Sequence, residues 1–190
     1  MTAKTELLYE GKAKKVYATD DPNLCIFEYK DDATAFNGVK KGSFEGKGEI
    51  NNQMANFIFR LLEEKGIKTH MVEELSKRET LVKKVDIIPL EIIVRNIAAG
   101  SFSKRYGVEE GTPFAEPTLE FSYKNDDLGD PLMNAYHARA LKLASAEEIE
   151  TIKAMAFKVN DVLKAFFQNV NVDLVDFKLE FGRLSDGTIV

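Results

Sequence analysis

Two short stretches of this chain carry charged side chains where a buried strand has no use for them. The first, IIPLEIIVRNIAAGS from Ile87 to Ser101, is an apolar run broken by one carboxylate, Glu91, and one guanidinium, Arg95, before small residues end it. Residues two apart on a strand share a face, so Glu91, Ile93 and Arg95 point one way and Leu90, Ile92 and Val94 the other, into a core. Burying Glu and Arg unpaired is costly, which predicts that their face lines a cleft. The Ala98-Ala99-Gly100-Ser101 end lets backbone approach an anion closely, with a helix starting over Phe102 to Tyr106. The alternative is a half-buried strand with an internal ion pair and a tight turn. Four residues along a strand span roughly 13 Å, however, so Glu91 and Arg95 are better placed to meet different parts of one extended ligand.

The second stretch is VDLVDFKLEFG. Val175, Phe177, Leu179 and Phe181 alternate with Asp176, Lys178 and Glu180, which puts two carboxylates and an ammonium on one strand face. Most such faces simply meet water, but this row can also orient reacting groups and hold a divalent cation. A weaker signal lies in LLYEGKAKKVY. Two strands joined at Gly11-Lys12 are similar to the flaps that cover nucleotide phosphates, although Gly-Lys is also an ordinary turn. Lysines cluster at 12, 14 and 15, at 40, 41 and 47, and at 83 and 84, with solvated faces as the default meaning. KKGSFEGKGEINNQ fails the phosphate-loop pattern, because Gly42 and Gly46 are too close and Gly48 stands where Ser or Thr is required. The helix start beside Ser43 and Lys47 could still attract an anion.

The elements that must position these residues follow from periodicity and punctuation. Leu7 to Tyr17 and LCIFEYK predict an antiparallel meander, with Asp20 to Asn23 as a turn. A helix follows, with Ile50, Met54, Phe57, Ile58, Leu61 and Leu62 on one side and Gly66 ending it. THMVEEL and ETLVKKV read as paired strands leading into the first charged stretch. Asp86 to Pro89 reads as a hinge, since Pro89 holds Ile88 extended. Beyond Ser101 come a short helix, a turn-rich VEEGTPFAEPT, the strand LEFSYK and the turn KNDDLGDP. Asx turns explain Asp126, Asp127 and Asp130, although three carboxylates could also meet a metal or an amine. SAEEIETIKAMAFKVNDVLKAFFQNV is the clearest helix. Its stripe of Ile149, Ile152, Met155, Val159, Leu163 and Phe166 is core packing, and Ser145 with Glu148 makes a capping box. GRLSDGTIV reads as a hairpin.

With 190 residues the chain can bury a core as one domain or two small lobes. Hydrophobic content of 44% and charged content of 30% are ordinary for a globular protein. No apolar run approaches the roughly 18 residues of a membrane helix. MTAKTELLYEGK has no signal-peptide core, so the expected location is the cytoplasm. One cysteine, Cys25, and two histidines make neither an internal disulfide nor a zinc site. A net charge of −5 argues against nucleic acid as a partner but not against small anions focused by local basic clusters.

IIPLEIIVRNIAAGS and LVDFKLEFG together resemble the two signature motifs of the SAICAR synthetases, phosphoribosylaminoimidazole-succinocarboxamide synthases of purine biosynthesis. YEGKAKKVY, KGSFEGKGEINNQ, LVKKVD and YKNDD are similar to that family in the same order, over essentially the whole chain. The resemblance implies an α+β fold of two lobes distantly similar to protein kinases. It divides the chain into a nucleotide-covering lobe, 1–86, and a substrate- and metal-binding lobe, 87–190, with the ATP cleft between them. It implies an ATP-dependent ligase condensing carboxyaminoimidazole ribonucleotide (CAIR) with L-aspartate to give SAICAR, ADP and phosphate. A protein kinase is disfavoured, because no HRD- or DFG-type sequence is present.

Residue roles follow from the same resemblance. Gly11, Lys12 and Lys14 would cover the ATP phosphates, with Lys12 also reaching substrate, and backbone near Ile87 would meet adenine. Arg95 and Ser101 would grip the ribonucleotide phosphate, and Glu91 would face the imidazole or ribose. Asp176 and Lys178 would border the reacting carboxylate, and Glu180 would hold Mg²⁺. Lys124 and Asp126 would lie in the cleft without assigned roles. A homo-oligomer is implied, a dimer favoured, with no membrane or nucleic-acid partner. The resemblance implies that the family continues past the point corresponding to Val190 with an acidic stretch carrying a further metal-binding Asp, a phosphate-binding arginine and a final helix. The expectation is therefore a shortened chain, with a catalytically inactive nucleotide-binding form as the alternative.

Overall fold

The computed structural model describes residues 3–35 and 40–190, with only the backbone described for Thr34, Ala35, Lys40 and Lys41. The side chains of the Lys40-Lys41 cluster, and Met1-Thr2 of the N-terminal reading, therefore lie outside the described residues. The chain divides into two compact units. One takes residues up to Asp86 with Leu184–Thr188 and Val190, and the other takes Ile87–Arg183 with Ile189.

In the first unit the strands are β1 (Lys4–Glu10), β2 (Lys14–Thr19), β3 (Leu24–Tyr29), β4 (Asp32–Ala35), β5 (Lys40–Ser43), β6 (Met71–Glu74) and β7 (Glu79–Lys83), with one helix, α1 (Lys47–Glu64). Five strands form an antiparallel sheet in the order β1-β2-β3-β7-β6, and β4 with β5 makes a separate hairpin. The meander and the β6–β7 pair agree with the sequence pattern. Cys25, Ile26, Leu62, Ile67, Met71, Leu81 and Val82 are its buried apolar residues.

The helix departs from its pattern. Ile50, Met54 and Phe57 are exposed, while the buried positions are Gly48, Asn52, Asn56 and Leu62. Steric fit and hydrogen bonding decide this. A Cβ on Gly48 would stand 2.6 Å from the Tyr29 carbonyl oxygen, so only glycine permits the approach. Behind it, Thr80 Oγ1 donates to Asn52 Oδ1 at 2.6 Å and accepts from Asn56 Nδ2 at 2.8 Å. Asn52 Nδ2 donates to the Ser76 and Lys77 carbonyls, so the buried amides are satisfied. The expected anion at this helix start turns out to be the protein's own. Asp31 accepts the Gly48 amide at 2.8 Å and pairs with Arg78. The Arg78 guanidinium, then that amide, hold its carboxyl below the usual range.

The second unit contains β8 (Asp86–Ile97, all but its first residue), α2 (Gly100–Tyr106), β9 (Pro113–Tyr123), β10 (Leu132–Met133), α3 (Ala135–Ala140), α4 (Ala146–Gln168) and β11 (Asp176–Arg183). Its sheet runs β10-β9-β8-β11. Ile88, Leu90, Ile92 and Val94 of β8 pack with Phe121, Phe181 and Ile149, Ile152 and Ala156 of α4. Each large aliphatic side chain buried this way contributes about 1.5–3 kcal/mol. Ser145 caps α4, with the Glu148 side chain returning to the Ser145 amide, as the capping-box pattern requires.

β9 is longer than its sequence pattern, because PFAEPT is strand and not turn. β8 pairs with it as far as Ile97↔Pro113. β10 meets its other side only at Phe121 and Ser122, so Pro113 and Pro117 fall where no strand lies beyond, a place that tolerates proline. α3 is too short to show a hydrophobic period and is defined by its cap, Asn134 accepting the Tyr136 and His137 amides. Among the described residues, no helix is long and apolar enough to cross a membrane.

Candidate active site

The central strand β8 carries the first charged stretch, and its register with β9 decides which residues join it. Glu91 lies opposite Ser122, Ile93 opposite Glu120 and Arg95 opposite Thr118. Because side chains alternate, Thr118, Glu120 and Ser122 share the face of Glu91 and Arg95. β11 neighbours β8 on the other side and brings Asp176, Lys178 and Glu180 alongside.

Glu91 and Arg95 do not pair with each other. Arg95 Nη1 pairs with Asp176, its Nε donates to Glu120 Oε2 at 3.2 Å, and its Nη2 donates to Ser101 Oγ at 3.3 Å. Glu91 pairs with Lys178, and Lys124 Nζ lies 3.2 Å from Glu180 Oε1. Burial is unequal within the pairs. The side chains of Arg95 and Glu91 are 9% and 10% exposed, whereas their partners Asp176 and Lys178 are 35% and 49% exposed. Taking Lys178 away leaves the buried Glu91 charge without this partner, whereas Arg95 without Asp176 keeps Glu120. Each β8 charge is therefore fixed and nearly dry, while its partner on β11 can turn to water and yield its place to a ligand group of the same sign.

The framework around these pairs is neutral and closed. Asn96 and Asn160 exchange side-chain hydrogen bonds of 2.8 and 3.0 Å, tying β8 to α4. Asn96 Nδ2 also reaches the Leu174 carbonyl and its backbone amide the Val175 carbonyl, which fixes where β11 begins beside Arg95. Gly100, at φ +55°, makes the left-handed turn that brings Ser101 back over Arg95, and its amide donates to Glu110.

Lys124 extends the row. Burial pulls its ammonium down, but the charge and hydrogen bond of Glu180, then the charges of Glu91 and Asp126, outweigh that and hold its pKa above the ordinary lysine value. Around it the Asp126–Asp130 turn closes on itself: Asp130 accepts the Asn125 amide and Asn125 accepts that of Leu128. Among the described residues no three acidic, His or Cys side chains converge on a metal position. Asx-turn geometry at Asn125 and Asp130 accounts for the shape of this turn. Glu180, a half-exposed carboxylate, suits a cation that takes one protein oxygen and fills its other positions from water and phosphates, as Mg²⁺ commonly does.

The remaining sequence-derived positions fall outside this row. Gly11 and Lys12 belong to the first unit, in the turn between β1 and β2, and Lys14 opens β2, its carbonyl accepting the Gly11 amide at 2.9 Å. Lys14 Nζ stands 4.2 Å above the Phe27 ring. Ile87 lies near the start of β8 and is 44% exposed.

Sequence reasoning missed Glu120, Arg105 and the Asn96–Asn160 pair. The signal for Glu120 was present in TLEFSY, where Thr118, Glu120 and Ser122 alternate with Leu119, Phe121 and Tyr123. Which charges they meet depended on strand register.

Residues 7–190 match the SAICAR synthetase family model. The chain is 58% identical over 98% of its length to the phosphoribosylaminoimidazole-succinocarboxamide synthase of Lachnoclostridium phytofermentans, of which it covers 80%. Among solved structures it superposes at a TM-score of 0.93 on a SAICAR synthetase in complex with ADP, at 49% identity, covering 97% of this chain and 78% of that one. The corresponding synthase from Ehrlichia chaffeensis gives the same TM-score at 45% identity, over 97% of this chain and 79% of that one. The two signature stretches, the charged row they form and these matches lead to one conclusion: this chain belongs to the SAICAR synthetase family, ligases of purine biosynthesis.

Proposed function

We propose that the chain joins CAIR to L-aspartate at the expense of ATP, releasing SAICAR, ADP and phosphate, in the cytoplasm. The observation that carries this reading is the row of unequal ion pairs on β8 and β11. Buried Arg95 and Glu91 offer fixed charges of opposite sign, and their exposed partners are exchangeable. An extended ligand with an anion at one end meets Arg95 and Ser101 there, displacing Asp176. A guanidinium suits a phosphate because its donors form a planar fork. Glu91 faces the imidazole or ribose, and Lys178 borders the carboxylate to be activated, while Asp176, against Arg95, stays beside the phosphate end instead of that carboxylate.

A carboxylate resists an amine because oxide is a poor leaving group. Transfer of the ATP γ-phosphoryl group to a CAIR carboxylate oxygen, with ADP departing, makes an acyl phosphate. The aspartate nitrogen then attacks the carbonyl carbon, the bond to the phosphate oxygen breaks, and the nitrogen loses a proton. Lys178 offsets charge on the reacting carboxylate, and Gly11, Lys12 and Lys14 cover the nucleotide phosphates, with backbone near Ile87 toward adenine. The relative bound to ADP supports nucleotide use by this fold. Glu180 would hold Mg²⁺, which when bound neutralises phosphate charge. The partners are small molecules, not nucleic acid or membrane, and the enzyme works as a homo-oligomer, a dimer being the favoured form. An assay of ADP release tests the reading: release requiring both CAIR and aspartate, with SAICAR formed in equal amount, is expected. Nucleotide binding without product would overturn it.

A further inference from the structure

We propose that Glu120 is a positioning residue for Arg95, kept in place by Arg105. The proposal rests on the reading of Arg95 as the phosphate grip. Glu120 is the most enclosed carboxylate partner of Arg95, with 10% of its side chain exposed against 35% for Asp176. Its two oxygens are divided between two guanidinium groups: Oε2 accepts Arg95 Nε at 3.2 Å, and Oε1 accepts Arg105 Nη2. This fixes which edge of Arg95 faces a ligand. With Nε held by Glu120 and Nη2 by Ser101, Nη1, which also reaches the Ala99 carbonyl, is the nitrogen turned to Asp176. A ligand anion that displaces Asp176 meets a guanidinium already oriented, and orientation is what a long, rotatable side chain otherwise loses on binding.

Arg105 solves the problem that Glu120 creates. A carboxylate beside a phosphate site cancels the charge meant for the phosphate. Two guanidinium groups against one carboxylate leave one net positive charge in the triad, so orientation is gained without neutralising the site. α2 is the element that makes this possible. Ser101 and Arg105 lie one helical turn apart and reach the same sheet face, one touching Arg95 and the other Glu120.

Binding of CAIR to the full chain, with KM for CAIR and for ATP measured separately, tests the proposal. Glu120→Ala is expected to raise the CAIR KM roughly tenfold, with the ATP KM within about twofold of the parent. Glu120→Gln keeps an acceptor for Nε and should return the CAIR KM to within about threefold. Arg105→Ala, at a more exposed position, should raise it about three- to tenfold and carries the test if Glu120→Ala does not fold. Tighter CAIR binding in both Glu120 variants would mean that the carboxylate merely opposes the phosphate. Unchanged binding with a lowered melting temperature would mean that it only packs. Either result overturns the proposal. Arg95→Lys separates the two levels. If it leaves CAIR binding intact, the phosphate-grip reading itself fails. If it weakens CAIR while the Glu120 and Arg105 variants do not, only the positioning role fails.

Discussion

Each unit buries a polar seam, and the two are built differently. In the first, Asn52, Asn56 and Thr80 join α1 to β7 through neutral groups, with Asn52 and Asn56 at most 1% exposed. Every donor there has found a carbonyl or hydroxyl inside the protein, and nothing is left to exchange. In the second, Glu91, Arg95 and Glu120 are nearly as dry, but they are charged, and two of their counter-charges sit on half-exposed side chains. A neutral closed network fixes geometry, whereas a charged network in which two counter-charges, Asp176 and Lys178, are half exposed has members that a ligand group of the same sign can replace.

The contrast can be broken at its strongest point first. Arg95→Lys keeps the charge but loses the fork, and should weaken CAIR binding about 10- to 100-fold while ATP binding stays within about twofold. Calorimetric titration of each ligand checks this, and parallel losses for both would remove the distinction between substrate end and nucleotide end. Thr80→Val attacks the neutral seam by leaving two buried amides short of a partner, at a cost of about 1–3 kcal/mol. The melting temperature should fall while the CAIR KM of the folded enzyme holds. A raised KM would show that the seam is not merely architectural.

The smallest effect concerns His70, which lies in the first unit with ring centroids 5.4 Å from Phe27 and 5.0 Å from Phe59. Burial first, then Lys14 and Lys83, lower its pKa to about 4. Unfolded histidine titrates near 6.5, so between those values the unfolded chain takes up a proton that the folded one refuses. Its contribution to stability is full above about pH 6.5 and declines as pH falls toward 4. Urea midpoints at pH 7.5 and 5.0 should differ less in His70→Gln than in the parent, and equal differences would assign the acid sensitivity to other groups.

The sequence by itself determined the local facts. Alternation set which faces of β8 and β11 are charged, and Ser145 with Glu148 set the start of α4. The pairing of two signature stretches identified the family. It misled where local pattern and packing disagree. Ile50, Met54 and Phe57 of the α1 stripe face outward, while its Leu62 is buried, because Gly48 and two asparagines fit the sheet more closely. The turn-like PFAEPT is strand because β8 supplies it with a partner. Only the tertiary structure decided which charges meet. Arg95 joins Asp176 across 81 residues of chain, and Glu91 joins Lys178 across 87. Periodicity assigns a side chain to a face, but its partner on that face is set by the register between strands distant in the chain, and no local spacing encodes that register.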